Sequence, residues 1–88
     1  MSKEIWKFII QPDGCTIDIP PDAEILTAQA QGVDVCIWAL VRPVDRRIRR
    51  SFIMFGTGHP IPEDKKLKYI NTVMFHGGQF VLHVFEEL

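Results

Sequence analysis

Lys68-Tyr69-Ile70-Asn71-Thr72-Val73-Met74-Phe75-His76-Gly77-Gly78-Gln79-Phe80-Val81-Leu82-His83-Val84-Phe85-Glu86 decides the fold. Two runs rich in β-branched and aromatic residues flank Gly77-Gly78, a two-residue connection suited to a turn with positive φ at both centres. The register this implies puts His76 opposite Gln79, Val73 opposite Leu82 and Thr72 opposite His83. One face of the hairpin then carries Ile70, Thr72, Met74, Val81, His83 and Phe85. The other carries Tyr69, Asn71, Val73, Phe75, Phe80, Leu82 and Val84. Both faces are largely apolar, so the hairpin must lie between layers or be buried in a subunit interface.

Towards the N-terminus the same texture repeats, with turn signals about every ten residues, the spacing of an all-β sandwich or barrel. Ile48 to Phe55 reads as a strand, entered through Arg42-Pro43-Val44-Asp45-Arg46 and left through Gly56-Thr57-Gly58-His59-Pro60-Ile61-Pro62. Val33 to Val41 is apolar at nearly every residue, which predicts a central strand covered on both faces. Ile5 to Ile10 and the alternating Thr16 to Ile19 give two more strands, separated by Gln11-Pro12-Asp13-Gly14-Cys15 and stopped by Pro20-Pro21. Ala23 to Gln31 admits two readings. Asp22 before it and Gly32 after it suit the caps of a short helix. Only Ile25 and Leu26 are large and apolar, however, which leaves such a helix little to bury and favours a strand. The expectation is one domain over 1–88, a small antiparallel β-sandwich or partly closed barrel of about seven strands.

A chain of 88 residues is too short for a second domain and leaves much of its surface unburied. Its 47 % hydrophobic and 24 % charged residues belong to an ordinary globular protein. The longest apolar run, Val35 to Val41, is far too short to cross a bilayer as a helix. Met-Ser-Lys-Glu opens no secretion signal, which points to the cytoplasm. Cys15 and Cys36 make no disulfide framework and read as reduced, buried apolar residues. The net charge of −1 conceals a segregation. Phe8 to Val41 contains no Lys or Arg, whereas Arg42 to Lys68 holds eight bases against three acids. Such halves either pair within the fold or make a polar molecule that steers a charged partner or stacks head to tail.

The chemistry-bearing residues form no enzyme motif. The three histidines and two cysteines lack metal-ligand spacing. His76 and His83 fall roughly 13 Å apart along a strand. Gly56-Thr57-Gly58-His59-Pro60 lacks the trailing residues of a phosphate-binding loop and reads as a stiffened strand exit that could recognise a partner. Neither cysteine nor Ser51 has a base beside it in sequence. Glu63-Asp64 and Glu86-Glu87 read as exposed charged pairs. His83, on an apolar strand face, is expected to be satisfied by Thr72 or a backbone carbonyl. Arg46, Arg47, Arg49 and Arg50 could grip phosphates, but strand alternation divides them between faces, and the slightly acidic whole argues against nucleic acid as a partner.

The order and spacing of Pro21-Asp22-Ala23-Glu24-Ile25-Leu26, Gln29-Ala30-Gln31, Ile37-Trp38-Ala39-Leu40-Val41, Gly56-Thr57-Gly58-His59 and His83-Val84-Phe85-Glu86 resemble a family of small phage-encoded and prophage-encoded proteins of unknown function. The resemblance runs from Ile5 to Glu86. It implies a phage or prophage source and synthesis in the bacterial cytoplasm, and it tilts Ala23 to Gln31 towards strand. Together these readings lead to an expected non-catalytic interaction module, without metal or cofactor. It would be at least a dimer and would bind its own copy or a host or virion protein through Gly56, Thr57, Gly58, His59 and Pro60. The alternative expectation is a small-ligand binder using that loop and the mouth of the sheet.

Overall fold

The structure, a computed structural model, describes residues 2–88. Seven strands follow one another: β1 (Glu4–Ile10), β2 (Cys15–Ile19), β3 (Glu24–Gln31), β4 (Asp34–Val41), β5 (Ile48–Gly56), β6 (Leu67–Phe75) and β7 (Phe80–Glu87). All neighbours are antiparallel and form two sheets, A in the order β1-β4-β3 and B in the order β2-β5-β7-β6. The sheets face each other as a sandwich whose Cα frame measures 43 × 32 × 15 Å, a thickness that suits two layers about 10 Å apart. The expected fold class is the one observed.

Alternation explains which residues face inward. Ile10, Val35 and Ile37 from sheet A meet Phe52, Met54, Val73, Leu82 and Val84 from sheet B in one buried cluster. A second cluster of Ile19, Ala23, Ala39 and Val41, flanked by Trp6 and Ile48, fills the opposite end. Residues 23–31 form strand: Asp22 takes φ +65° in a turn rather than capping a helix. β4 is central in its sheet, but no second layer covers its outer face. There Trp38 is half-buried among β1 and β3 side chains, and Cys36 is fully buried beside the Lys7–Gln31 hydrogen bond of 2.8 Å. Val33 belongs to the preceding turn and is 91 % exposed. Cys15 and Cys36 lie in different sheets and are free.

The β6–β7 hairpin has the expected register, with Val73 opposite Leu82 and Thr72 opposite His83. Gly77 and Gly78 adopt φ +66° and +91°, the freedom the turn requires. Further along, a bulge at Ile70 breaks the alternation and carries Tyr69 onto the face opposite to the one expected. Tyr69 thus stands on the outer face beside Phe85, and Ile70 packs against the core.

β3 and β6, the adjoining edges of the two sheets, run side by side without a backbone ladder. Asn71 closes the seam instead. Its Oδ1 accepts from the Ala28 N–H at 2.7 Å, and its Nδ2 donates to the Ala28 carbonyl at 2.5 Å. The carboxamide therefore takes the place of a missing peptide partner, between the bulges at Leu26 in β3 and Ile70 in β6. A little further along lies a bidentate ion pair. Arg50 Nε and Nη2 donate to Glu86 at 2.6 and 2.7 Å, while Nη1 donates to the Ala23 carbonyl at 2.6 Å.

Candidate functional site

The outer face of sheet B is a platform. Adjacent strands align Ile53, Phe85 and Tyr69 in one row and Phe55, His83 and Thr72 in the next, with Val81 beside Met74 beyond them. Phe85 meets Phe55 edge-on at 5.9 Å between ring centroids and Tyr69 at 5.5 Å, an arrangement that fixes the rings. Tyr69 is 54 % and Met74 61 % exposed.

A hydrogen-bonded ladder crosses this apolar ground. The Tyr69 and Thr72 hydroxyls lie 2.6 Å apart, Thr72 Oγ1 is 2.9 Å from His83 Nδ1, and His83 Nε2 is 2.7 Å from Thr57 Oγ1. Both imidazole nitrogens are thereby satisfied in either tautomer, because each hydroxyl can donate or accept. The expected Thr72–His83 contact is present, although His83 is half-buried on the outer face rather than enclosed in the core. Thr57 and His83 stand at nucleophile–base distance, but the group on the far side of the ring is a neutral hydroxyl, which stabilises an imidazolium less than the carboxylate of a catalytic triad does. Neither residue lines any of the three main cavities.

The Gly56–Pro60 loop is a tight strand exit. The His59 N–H donates to the Gly56 carbonyl at 3.1 Å, and its imidazole lies over Gly56 so closely that a Cβ there would stand 2.8 Å from the ring. Gly58 takes φ +85°, and residues 57–60 are exposed. Among the described residues Thr57 alone of the five hydrogen-bonds to the ladder, while His59 folds back over Gly56.

The structure scatters the four arginines. Arg50 is spent on Glu86 and Ala23, half-buried between the sheets. Burial leaves Glu86 only 6 % exposed, which corrects its expected place in an exposed acidic pair: β-alternation turns Glu86 inward and Glu87 outward. The Glu86 hydrogen bond chiefly, and its charge in addition, raise the Arg50 pKa above the ordinary arginine value against the opposing effect of burial. Arg49 is exposed on the outer face, 3.6 Å from Asp18. Arg46 and Arg47 precede β5, so strand alternation does not govern them. Arg47 sits over the Trp6 ring at 5.3 Å and donates to the Val44 carbonyl. On the exposed surface a hydrogen bond to Glu87 raises the Lys65 pKa, helped by the charges of Glu87 and Asp64 and opposed by desolvation. The four arginines offer no shared phosphate cradle.

At the end of the sandwich where β1, β3 and β6 finish lies a cavity of about 490 Å³, lined by Ile10, Val33, Val35, Phe75, Phe80 and Leu82 among others. Gln11, Asp34 and His76 supply its polar wall. The loop Gly56–Pro60 belongs to the same end without lining the cavity, and neither Trp6 nor Trp38 enters it. Among the described residues no group of three or more His, Cys, Asp or Glu side chains could hold a metal ion. No helix in them is long and apolar enough to cross a membrane.

Sequence reasoning placed Thr57 in a partner-binding loop and set Thr72 opposite His83, but as a structural pair rather than part of a site, and it did not join Thr57 to them. It missed Tyr69 as a surface residue, because a bulge leaves no periodic trace. It also missed Asn71, whose only signal is a carboxamide inside an apolar strand. Residues 1–88 match a family model described as a domain of unknown function, DUF7352. No curated protein and no solved structure matches the chain.

Proposed function

We propose, for a chain that belongs to the DUF7352 family over its whole length, that it is a non-catalytic protein-interaction module whose docking surface is the outer face of sheet B. The observation that supports this reading is an open aromatic platform whose polar groups already satisfy one another. A partner that covers Tyr69, Phe85 and Met74 gains apolar burial. It strands no donor or acceptor in the process, since the ladder keeps its own hydrogen bonds.

The resemblance to small phage and prophage proteins makes a host or virion protein in the bacterial cytoplasm a natural partner, alongside self-association into a homo-oligomer. Thr57 ties the Gly56–Pro60 loop to the platform, so Gly58, His59 and Pro60 extend the same surface. The test compares wild type with a Tyr69→Lys, Met74→Lys variant, both positions being exposed enough to leave the core intact. Tagged proteins are used to capture partners from phage-infected cell extract, with sedimentation in parallel. Loss of the captured protein, or of self-association, in a normally folded variant is the expected result. Unchanged capture and unchanged mass would remove the platform from the account.

A further inference from the structure

The core is closed at one end of the sandwich and left open at the other. Ile19, Ala23, Ala39 and Val41 seal the far end. At the cavity end, alternation turns Ile10, Ala30 and Val35 of sheet A towards Phe75, Phe80 and Leu82 of sheet B. Ile10, Val35 and Leu82 belong to the core cluster, and Phe75 packs against it. Phe80 does not, and it stays 53 % exposed although its strand aims it between the sheets. Ala30 and Gly32, on the side of sheet A, carry too little side chain to cover it. The cavity of about 490 Å³ is the space left over.

Size, charge and surface chemistry narrow the occupant. The volume of about 490 Å³ falls in the range of small-molecule sites, roughly 300–1,000 Å³. It is about three times that of an apolar cavity that takes one benzene ring, which leaves room for two or three rings. Among its lining residues only Asp34 carries a formal charge. Alternation sets that carboxylate on the outer face of sheet A, opposite Gln31, to which Lys7 is hydrogen-bonded. The turns around the opening (residues 11–14, 32–33 and 76–79) contain no Lys or Arg. A ligand carboxylate, sulfonate or phosphate would therefore lose its hydration without an answering cation. Phe75 and Phe80 lie 6.0 Å apart between ring centroids, and the Met74 thioether joins them at the wall. Rings and sulfur together favour an aromatic guest. Gln11 and His76 can each donate or accept a hydrogen bond there, enough to orient one neutral polar substituent.

We infer that this cavity binds a neutral aromatic small molecule of two or three rings, seated between Phe80 and Ala30 with its polar group at Gln11 or His76. Such a guest covers Phe80 and completes the core at the end where the chain leaves it open. The site shares only Met74 with the platform, so it stands or falls apart from the docking surface proposed above.

N-phenylnaphthylamine, a neutral probe of three rings whose fluorescence rises in apolar surroundings, tests the site against anilinonaphthalenesulfonate, the same skeleton bearing a sulfonate. Wild type is expected to bind the neutral probe one to one and the sulfonated probe at least tenfold more weakly. Ala30→Trp fills the cavity from sheet A and should weaken the neutral probe at least tenfold. Residue 30 is exposed, so the circular-dichroism spectrum should not change. Phe80→Lys, at another exposed position, gives the sulfonate its cation and should reverse the order of the two probes. If Ala30→Trp does not fold, that reversal decides alone. A wild type that fails to bind the neutral probe overturns the inference. So do equal affinities for the two probes, or affinities that neither variant changes. Binding lost in Tyr69→Lys but kept in Ala30→Trp would put the probe on the platform and likewise refute the cavity.

Discussion

The seam between β3 and β6 and the ladder on the outer face of sheet B use the same chemistry in opposite surroundings. At the seam, half-buried Asn71 and Arg50 and buried Glu86 place carboxamide, guanidinium and carboxylate between the two sheets, with every bond between 2.5 and 2.7 Å. On the outer face, exposed Tyr69 and Thr57 and half-buried Thr72 and His83 make bonds of 2.6 to 2.9 Å. The number of hydrogen bonds does not separate the two regions. What separates them is the fate of a group whose partner is removed. A buried group keeps its desolvation cost, whereas an exposed one turns to water. Seam polarity therefore carries structure, and ladder polarity is free to serve recognition.

The comparison is tested most severely at Glu86. Glu86→Ala leaves the half-buried Arg50 guanidinium with only the Ala23 carbonyl, and the expected loss is about 3 kcal/mol in a denaturant titration, the low end for a buried pair because Arg50 keeps some contact with solvent. Replacing both partners, as Arg50→Met with Glu86→Leu, should restore most of that loss, because no charge is then stranded. The sign of the pH dependence follows from the raised Arg50 pKa. A base whose folded pKa is raised contributes stability that is complete below its unfolded value and is lost only as pH climbs through the folded one. Both values lie beyond the range of ordinary experiments. The gap between wild type and Glu86→Ala should thus stay constant from about pH 7 to about pH 10. A gap that closes in that window would mean that the pair is not what Glu86 contributes.

Asn71 comes next. Asn71→Ala removes both partners of Ala28 at the bulged seam, leaving one N–H and one carbonyl to find water or stay unpaired. The expected loss is about 2–3 kcal/mol, accompanied by faster hydrogen exchange at Ala28. Asn71→Asp keeps the acceptor for the Ala28 N–H but sets a carboxylate against the Ala28 carbonyl, so it should not rescue. A fully stable Asn71→Ala would show that packing of β3 on β6 holds the seam without the carboxamide.

These positions also mark how far the sequence could be read. Strand count, antiparallel pairing and the Thr72–His83 register follow from period-two patterning and from one glycine turn, all of them local signals. The seam does not. That Glu86 turns inward to meet Arg50 depends on the register of β5 against β7, and Ser51 opposite Glu87 is a long-range pairing with no signature in either segment. The bulges at Leu26 and Ile70 are single-residue insertions into alternation, and the one at Ile70 moves Tyr69 to the surface. The candidate site was legible where it rested on facing pairs, Thr72 with His83. It was illegible where a loop folds back, as Thr57 does onto His83.

The mildest substitution is the one that separates structure from recognition. His83→Ala cuts the ladder at its centre and leaves the hydroxyls of Thr57 and Thr72 without the ring. Both can hydrogen-bond to water, and the removed ring is half-buried between Phe55 and Thr72 in its row. Lost packing should cost about 1 kcal/mol, well below the effect at either seam position. Recognition should suffer more than stability. With the imidazole gone, Thr57 and its loop lose their tether to the platform, and a bound partner must bury hydroxyls that no longer satisfy each other. Capture by the outer face should therefore weaken by a larger factor than the thermal midpoint predicts. His83→Gln, whose carboxamide can both donate and accept, should recover part of it. If His83→Ala instead unfolds the protein to the extent of Glu86→Ala, the ladder is structural, and burial is not what distinguishes these two regions.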